Sequence, residues 1–295
     1  MTSIFERIWA DKTQRIQMPR KFTGIDHIYY DELEYGIESG GQKFAERIVD
    51  NLIDGKILLI KNCFDLNFVK KLKSKCIEFW KSTPDTYFEM KEGCPDFHRV
   101  ITPELAKNYS VGAVRHSTYF FRWNNNLNEF WPDITDRWRK MKYISGLGSN
   151  AYELNTPKDI AIDRSQIVCY PPKFGGVETH VDSDGNCRLA ISCYLSSINN
   201  GDFSTGGFYV IDSKDERVNL ESFIEAGDFS LYYPMIEHGV TPIDVTKNVD
   251  KHNDHNELDE YDWYSGKGRW WMGLFSPDSN VITNRTTSSS LGNSF

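Results

Sequence analysis

Two histidines and one aspartate in the second half of the chain, His180, Asp182 and His238, have the residue types of a three-ligand metal site. Two imidazoles and one carboxylate can occupy one face of an iron ion and leave its opposite coordination positions open. Arg269 follows these residues along the chain, and a guanidinium can hold a carboxylate through two parallel hydrogen bonds. If the four side chains meet, they favour metal-dependent oxidation, with Arg269 binding the far carboxylate of an organic co-substrate.

The spacing of the ligand candidates sets what the fold must do. His180 and Asp182 are two residues apart, a spacing that on a strand places both side chains on the same face. His238 lies much farther along the chain, at the start of a predicted strand, so a barrel must bring two distant strands together. A His-x-Asp pattern alone is common by chance, and the interpretation therefore depends on the elements around it.

Other residues of similar type have simpler explanations. Asp184 would compete with Asp182 for one coordination position, so we expect it to be solvated or hydrogen-bonded. His252 and His255 could chelate a metal on a helix, but in so polar a stretch solvent exposure is the better interpretation. The cysteines on or beside the predicted strands are expected to be core or barrel-lining thiols; they are Cys169, Cys187 and Cys193.

After about residue 160, short apolar segments separated by turn residues predict a series of strands. The predicted strands cover residues 167–170, 188–195, 206–211, 229–233, 238–243 and 269–275. The first half has a different pattern, because helical spacing of apolar residues predicts helices over 41–53 and 127–144 and a further helix that Asp65 caps.

The remaining parts of the first half are less regular. Residues 56–60 are typical of a short buried strand, residues 1–35 predict an irregular lead-in, and residues 84–126 fit no single pattern. Strands that follow helices predict a mainly β protein with α-helices, namely a double-stranded β-helix, or jelly roll, buttressed by N-terminal helices.

We expect one domain over residues 1–295. It comprises a helical N-terminal portion over 1–150, a jelly-roll core over 160–276 and a flexible tail over 277–295, which ends in a stretch rich in Ser, Thr and Asn. The acidic stretch from Asp244 to Gly268 is expected to form a lid or a disordered loop.

Composition excludes several classes of protein. A net charge of −8 argues against a nucleic-acid or anionic-membrane surface, since both need clustered Lys and Arg. No apolar run approaches the roughly 20 residues of a membrane span, and the N-terminus does not resemble a signal peptide. The six cysteines form no CxxC pair, which indicates a reducing compartment and hence the cytoplasm. We expect a small-molecule substrate as the partner, and the oligomeric state stays open.

The ordered set of strands, turns and ligand candidates over about residues 160–276 resembles the Fe(II)/2-oxoglutarate-dependent oxygenase superfamily, in its prolyl-4-hydroxylase-like and phytanoyl-type pattern. This resemblance implies that His180, Asp182 and His238 bind Fe(II) and that Arg269 pairs with the C5 carboxylate of 2-oxoglutarate, with O2 as co-substrate. Tyr170, at the end of the strand before the His-x-Asp pattern, is a second candidate for that carboxylate, with a core aromatic role as the alternative.

The resemblance also bears on the reaction. The family's halogenases replace the carboxylate ligand by Gly or Ala, so the presence of Asp182 disfavours halogenation and leaves hydroxylation and oxidative cyclisation. The chain is also loosely similar to kainoid synthases, which close a pyrrolidine ring. One departure concerns Arg269, because its interval from His238 exceeds the family's usual one unless the acidic stretch loops out. Three lysines are alternatives in that case: Lys247, Lys251 and Lys267.

The substrate is less well indicated. Basic and aromatic residues concentrate over 97–100 and 114–123, so the candidate ligands of a small anionic metabolite are Arg99, Arg115, His116 and Arg122. Their alternative role is in ordinary surface contacts and ion pairs. Two other functions stay open: a protein or peptide hydroxylase of prolyl-4-hydroxylase type, and a jelly-roll binding protein without catalysis.

Overall fold

The computed structural model describes residues 2–14, 17–245 and 260–292. The helices are α1 (Ile4–Thr13), α2 (Tyr30–Ser39), α3 (Gly41–Ile53), α4 (Leu66–Ser82), α5 (Pro103–Ala106) and α6 (Trp131–Ile144), with a 3-10 turn at Glu221–Phe223. The strands are β1 (Gly24–Tyr29), β2 (Lys56–Lys61), β3 (Phe97–Ile101), β4 (Ala113–Phe121), β5 (Arg164–Tyr170), β6 (Gly176–Val181), β7 (Ala190–Tyr194), β8 (Gly207–Ile211), β9 (Arg217–Asn219), β10 (Phe229–Tyr232), β11 (His238–Thr241), β12 (Arg269–Phe275) and β13 (Ser289–Ser290).

The strands form two connected sheets. The larger sheet has the order β1-β2-β10-β7-β12-β5-β4, with β3 on the free edge of β4. The smaller sheet has the order β6-β11-β8-β9, with β13 paired to β6, and it joins the larger one where β4 also pairs with β6. The pairing is antiparallel except between β1 and β2. This architecture confirms the predicted fold class, a mainly β jelly roll with a helical layer.

The helices cover the outer face of the larger sheet. Period-two alternation along β12 sends Trp270, Met272 and Leu274 into the core that this sheet shares with the helices. Arg269 and Trp271 point to the opposite face, which encloses a cavity between the sheets. The helical layer therefore supports the sheet from outside and leaves its inner face free for a binding site.

The predicted helix over 41–53 coincides with α3, and the predicted cap is present, since the Asp65 carboxylate accepts a hydrogen bond from the amide of Phe68 at 2.7 Å. The prediction of an irregular lead-in over 1–35 is wrong, because α1, β1 and most of α2 lie there. Ser3 and Glu6 form a capping box at the start of α1, and Trp9 is fully buried on its inner face. The N-terminal portion therefore contains strands as well as helices, since β1 to β4 also belong to it.

The C-terminal residues differ from the predicted flexible tail. β13 pairs with β6, and the amide of Leu291 donates to the carbonyl of Thr179 at 3.0 Å. Thr286 is held as well, because its amide donates to the Asp278 carboxylate at 2.9 Å. We call residues 285–291 the C-terminal strap. It satisfies backbone groups along β6 that would otherwise be an open edge.

The acidic stretch predicted as a lid or loop falls largely on residues 246–259, outside the described part of the chain. His252, His255, Lys247 and Lys251 lie there too. Among the described residues, no helix combines the length and apolarity that crossing a membrane requires.

Candidate active site

The three ligand candidates come together where β6 pairs with β11. His180 and His238 are directly opposite each other in this antiparallel pair, and Asp182 follows the end of β6. One ligand atom from each of the three side chains lies within 4.8 Å of the others. The Nε2 atoms of both histidines lie 3.6 Å from the Asp182 carboxylate oxygens. The predicted group of two imidazoles and one carboxylate therefore exists as a cluster.

Hydrogen bonds orient each ligand candidate. The Nδ1 of His180 donates to the carbonyl of Glu178 at 2.9 Å, and the Nδ1 of His238 donates to the carbonyl of Ile236 at 2.8 Å. A carbonyl only accepts, so in the neutral rings both Nε2 atoms carry lone pairs that point at the cluster. Such contacts fix the tautomer of metal-binding histidines. The Asp182 carboxylate accepts from the hydroxyl of Ser288 at 2.7 Å.

The protonation states also suit a cation. Burial, with a smaller effect of the nearby His238, lowers the pKa of His180 to about 4, so the ring is neutral at neutral pH. Burial alone would raise the pKa of Asp182. The neighbouring imidazoles of His238 and His180 and the hydrogen bond from Ser288 hold it below its usual range instead. Neutral imidazoles and an ionised carboxylate are the species that bind Fe(II).

The cluster opens into a cavity of about 330 Å³ between the two sheets. Arg269, at the first position of β12, lines this cavity and is 1% exposed. Gly268 before it has φ +132°, and a Cβ there would lie 2.1 Å from the carbonyl oxygen of Tyr170, so only glycine lets β12 start this close to β5.

Arg269 has unused donors. Its Nε donates to the Glu221 carboxylate at 2.5 Å, while Nη1 and Nη2 are buried without a hydrogen-bond partner. Buried donors normally have partners, so two parallel free donors in a cavity fit the carboxylate of a ligand. Tyr170 is directly opposite Arg269 in the β5–β12 pair, and its ring lies 5.8 Å from the guanidinium. Both residues predicted to contact the co-substrate therefore line one wall.

The four predicted substrate residues separate. Arg115 lines the cavity, whereas Arg99, His116 and Arg122 do not. The guanidinium of Arg99 lies over the rings of Tyr87 and Tyr109, outside the cavity.

His116 and Arg122 have structural contacts instead. His116 is 1% exposed, stacks on Trp80 and bonds the carbonyl of Trp263 at 2.9 Å. Arg122 pairs with Glu153 at 3.3 Å. The cause is strand alternation, since neighbours on β4 face opposite sides of the sheet and His116 points away from the side of Arg115. These contacts correct the prediction for Arg99, His116 and Arg122.

The remaining candidates have structural roles. The Asp184 carboxylate accepts from the Tyr233 hydroxyl at 2.8 Å and is not part of the metal-binding cluster. Lys267 does not line the cavity, so among the described residues that follow His238 up to the end of β12, Arg269 is the basic residue that faces it. Cys169 and Cys193 belong to the core, whereas Cys187 lines the cavity, and burial raises the pKa of all three thiols.

Sequence reasoning missed four residues at the site: Arg164, Glu221, Arg285 and Ser288. Arg164 is the first residue of β5, where a strand pattern gives no orientation beyond alternation. Glu221 lies in the 3-10 turn and is fully buried, which no charge pattern indicates. Arg285 and Ser288 lie on the C-terminal strap, whose polar composition predicts exposure.

Comparison with known proteins gives likeness in structure alone. No family model matches the chain, and neither does a curated protein. A full-length Neurospora crassa protein in complex with alpha-KG and thymine is similar with a TM-score of 0.54 and 11% identity, covering 89% of this chain and 88% of that one. The structure of the same protein with alpha-KG and 5-formyluracil has a TM-score of 0.52 and 11% identity, and the match covers 86% of this chain and 84% of that one. A Trichoplax adhaerens prolyl hydroxylase in complex with a peptide of hypoxia inducible factor has a TM-score of 0.46 and 15% identity, and the match covers 79% of this chain and 89% of that one.

Identities this low bear on the fold and not on the substrate. At the level of the fold they agree with the resemblance found in the sequence, and the sheet order and the His-Asp-His cluster agree with it too. The chain has the jelly-roll fold of the 2-oxoglutarate- and Fe(II)-dependent oxygenases.

Proposed function

We propose that this protein is an Fe(II)/2-oxoglutarate-dependent oxygenase that oxidises a C–H bond of a small anionic metabolite. The observation that carries the proposal is one cavity with two complementary groups. His180, Asp182 and His238 present three ligand atoms to it, and Arg269 presents two buried, unpaired donors.

The chain's own residues bind, orient and exclude water. His180, Asp182 and His238 would hold the metal, and their ligand atoms face the cavity, where a co-substrate could reach it. Arg269 would hold the far carboxylate of 2-oxoglutarate, and Glu221 fixes the guanidinium by accepting from its Nε. Iron, 2-oxoglutarate and oxygen together supply the oxidation of a C–H bond, with succinate and carbon dioxide as co-products.

The outcome we propose is hydroxylation or oxidative cyclisation, including ring closure like that of kainoid synthases. Asp182 supports this choice, because an aspartate in the third ligand position leaves no coordination place for a halide. The Ser288 hydroxyl holds that carboxylate towards the two histidines.

A protein or peptide hydroxylase is the second enzymatic candidate, but the shape of the site favours a small molecule. A peptide needs a long open groove, whereas this cavity of about 330 Å³ is bordered by Tyr109, Val111 and the C-terminal strap. The basic lining described below also favours an anion. A binding protein without catalysis is the third candidate, and the experiment below distinguishes it.

The test is an anaerobic titration with Fe(II) and 2-oxoglutarate, watching for their visible charge-transfer band, followed by succinate release in air. We expect the band and metal-dependent succinate release in the wild type and neither in His180→Ala. His27→Ala is the matched control, because His27 is exposed on β1 and should change nothing. Unchanged turnover in His180→Ala would disprove the proposal. If the wild type binds Fe(II) and 2-oxoglutarate but oxidises no carboxylic acid offered as a substrate, the binding protein without catalysis would be favoured.

A further inference from the structure

The cavity carries more positive charge than the co-substrate needs. Its lining contains four arginines, Arg115, Arg164, Arg269 and Arg285, but among the described residues Asp182 is its only carboxylate. Glu221, behind Arg269, balances one further charge, and the Asp278 carboxylate lies close enough to Arg285 to interact with its charge. Fe(II) and 2-oxoglutarate bring charges of opposite sign and equal size, so their binding leaves a surplus of about one to two positive charges. An anionic substrate would balance this surplus.

Three of these arginines form no ion pair with a carboxylate among the described residues. The Nε atoms of Arg115, Arg164 and Arg285 are buried and have no hydrogen-bond partner. Burial, together with the charges of Arg285 and Arg115, lowers the pKa of Arg164 to about 10, which means that both of these arginines repel the Arg164 guanidinium. The Arg164 guanidinium lies over the rings of Tyr119 and Phe275 and donates to the side-chain oxygen of Gln166 at 3.0 Å, and none of these neutral contacts balances its charge.

The arginines occupy two ends of the cavity wall. Arg115 lies beside Tyr170, whose hydroxyl it contacts, on the part of β4 that pairs with β6 near the metal-binding cluster. Arg164 lies at the opposite end of β5, level with Phe275. Strands rise about 3.3 Å per residue, so the backbone positions of Tyr170 and Arg164 are about 20 Å apart. The long side chains of Arg115 and Arg164 reach towards each other across this distance, since their charges interact and both interact with Tyr119, so the gap between the two guanidinium groups is shorter than the gap between the backbones.

The C-terminal strap adds Arg285 to the Arg164 end. Asp278 anchors the strap next to Arg285 by accepting from the amide and hydroxyl of Thr286, at 2.9 and 3.2 Å. Two separated groups of donors fit two separated anionic groups. A single phosphate could occupy one end and would leave the other without a counter-charge.

We infer that the substrate is a small acid with at least two carboxylates, one bound by Arg115 beside the metal-binding cluster and one bound between Arg164 and Arg285. The inference rests on the proposed function, since it names the substrate class of the same site. The strap thereby becomes part of the substrate site.

Binding of simple probes tests the inference without turnover. Protein loaded with Zn(II) and 2-oxoglutarate is titrated by calorimetry with adipate, tricarballylate, hexanoate and inorganic phosphate. We expect adipate or tricarballylate to bind at least about 10-fold more tightly than hexanoate or phosphate, because each charged hydrogen bond contributes about 1.5–3 kcal/mol. Equal affinity for hexanoate, or tighter binding of phosphate, would overturn the inference.

Single variants then assign the ends. Arg115→Met, Arg164→Met and Arg285→Met should each weaken polycarboxylate binding about 10- to 100-fold. Arg164→Met and Arg285→Met should leave 2-oxoglutarate affinity unchanged, because neither residue contacts Tyr170 or Arg269, whereas Arg115 contacts the Tyr170 hydroxyl. Arg47→Met, on α3 outside the cavity, is the control. Polycarboxylate affinity that none of the three changes would overturn the inference.

Two further readouts separate the possible failures. Arg164→Met should raise the unfolding midpoint of the ligand-free protein by about 2 °C, because it relieves repulsion, whereas a packing role would lower the midpoint and contradict the assignment. If wild type binds metal and 2-oxoglutarate but no polycarboxylate, the inference fails and the proposed function stands. If wild type binds neither metal nor 2-oxoglutarate, the proposed function itself fails.

Discussion

Two pairs of buried histidines, one in each sheet, show what distinguishes a metal site from a core contact. His180 and His238 lie on β6 and β11, with ring centroids 4.3 Å apart. His98 and His116 lie on β3 and β4, with ring centroids 5.0 Å apart. In both pairs each ring donates one N–H to a backbone carbonyl, at 2.8 to 2.9 Å. Burial and outward hydrogen bonds are thus common to the two pairs.

The pairs differ in where the second nitrogen points. The free Nε2 atoms of His180 and His238 face Asp182 and the open cavity. In the other pair the free nitrogens face each other, since His116 Nε2 lies 2.9 Å from His98 Nδ1. With both rings neutral, the His98–His116 pair has two N–H protons for three contacts: one with each of the two carbonyls and one between the rings. No carboxylate among the described residues joins this pair in a group that could hold a metal. A carboxylate and room for a cation, rather than burial, distinguish the candidate metal-binding pair.

Removing one ring from each pair gives the largest contrast. His238→Ala deletes one of three ligands and should lower Fe(II) affinity more than about 100-fold, since even the outer contacts of metal ligands contribute 10- to 100-fold. Succinate release should fall to background. Anaerobic metal titration measures the affinity, with His98→Ala as the partner variant that should leave it unchanged. If His98→Ala folds normally but no longer binds the metal, the proposed difference between the two pairs is wrong.

Acid is expected to destabilise the metal-free protein through one histidine of each pair. Burial lowers the pKa of His116 to about 3 and of His180 to about 4, both below the usual 6.5. Unfolding then takes up protons, so the stabilisation is complete above pH 6.5 and is lost as pH falls towards 4. Each group contributes about 1.4 kcal/mol per pH unit within this window. Urea unfolding at pH 7, 6, 5 and 4 measures the slope.

The variant His116→Phe assigns this slope to one pair. It should lower the pH dependence by about one proton while the His180 contribution stays. If His116→Phe has the same slope as the wild type, then either His116 keeps its usual pKa or the His98–His116 pair already carries a third ring proton at neutral pH. Added Zn(II) should raise stability through His180, Asp182 and His238 and leave the contribution of His116 unchanged, which offers a second check on the assignment.

We expect His116→Phe to have a smaller effect on stability at neutral pH. His116→Phe keeps the stacking on Trp80 but leaves the carbonyl of Trp263 without its donor. Loss of a partner for one buried polar group typically destabilises by about 1–3 kcal/mol, and here the removal of the unsatisfied contact with His98 offsets part of it. Metal affinity should stay unchanged. Denaturant unfolding at pH 7.5 tests the first expectation and metal titration the second, and a weakened metal site would show that the pairs are coupled.

Only part of the candidate metal site followed from local rules. Strand periodicity predicted His180 and Asp182 on one face, whereas the assignment of these two residues and His238 as iron ligands came from the resemblance of the ordered strands and turns to the oxygenase superfamily. The same periodicity also separates Arg115 from His116, because adjacent residues on a strand face opposite sides. Counting basic residues without alternation led to the error at His116. The fold class followed from the strand pattern, while the short elements over 1–35 did not.

Other parts of the site depend on tertiary contacts that no local pattern carries. The buried Glu221 carboxylate accepts from Arg269 at 2.5 Å and from the amide of Phe208 at 2.7 Å, and these partners lie on two different strands. Ser288 and Arg285 belong to a polar segment without periodicity, and its position follows from the open edge of β6 that it covers. The choice between a core and a cavity position for such residues is made by the packing of the sheets.

Ser288→Ala tests the smallest difference between the pairs, the hydroxyl that supports the carboxylate of one and has no counterpart in the other. The Ser288 hydroxyl donates to Asp182 at 2.7 Å, so its loss frees the carboxylate to rotate away from His180 and His238. We expect Fe(II) affinity to fall about 10-fold with the unfolding midpoint nearly unchanged. Ser289→Ala on β13, an exposed neighbour, is the matched control. An unchanged affinity in Ser288→Ala would mean that the two histidines alone orient Asp182, and the strap would then act on the substrate only through Arg285.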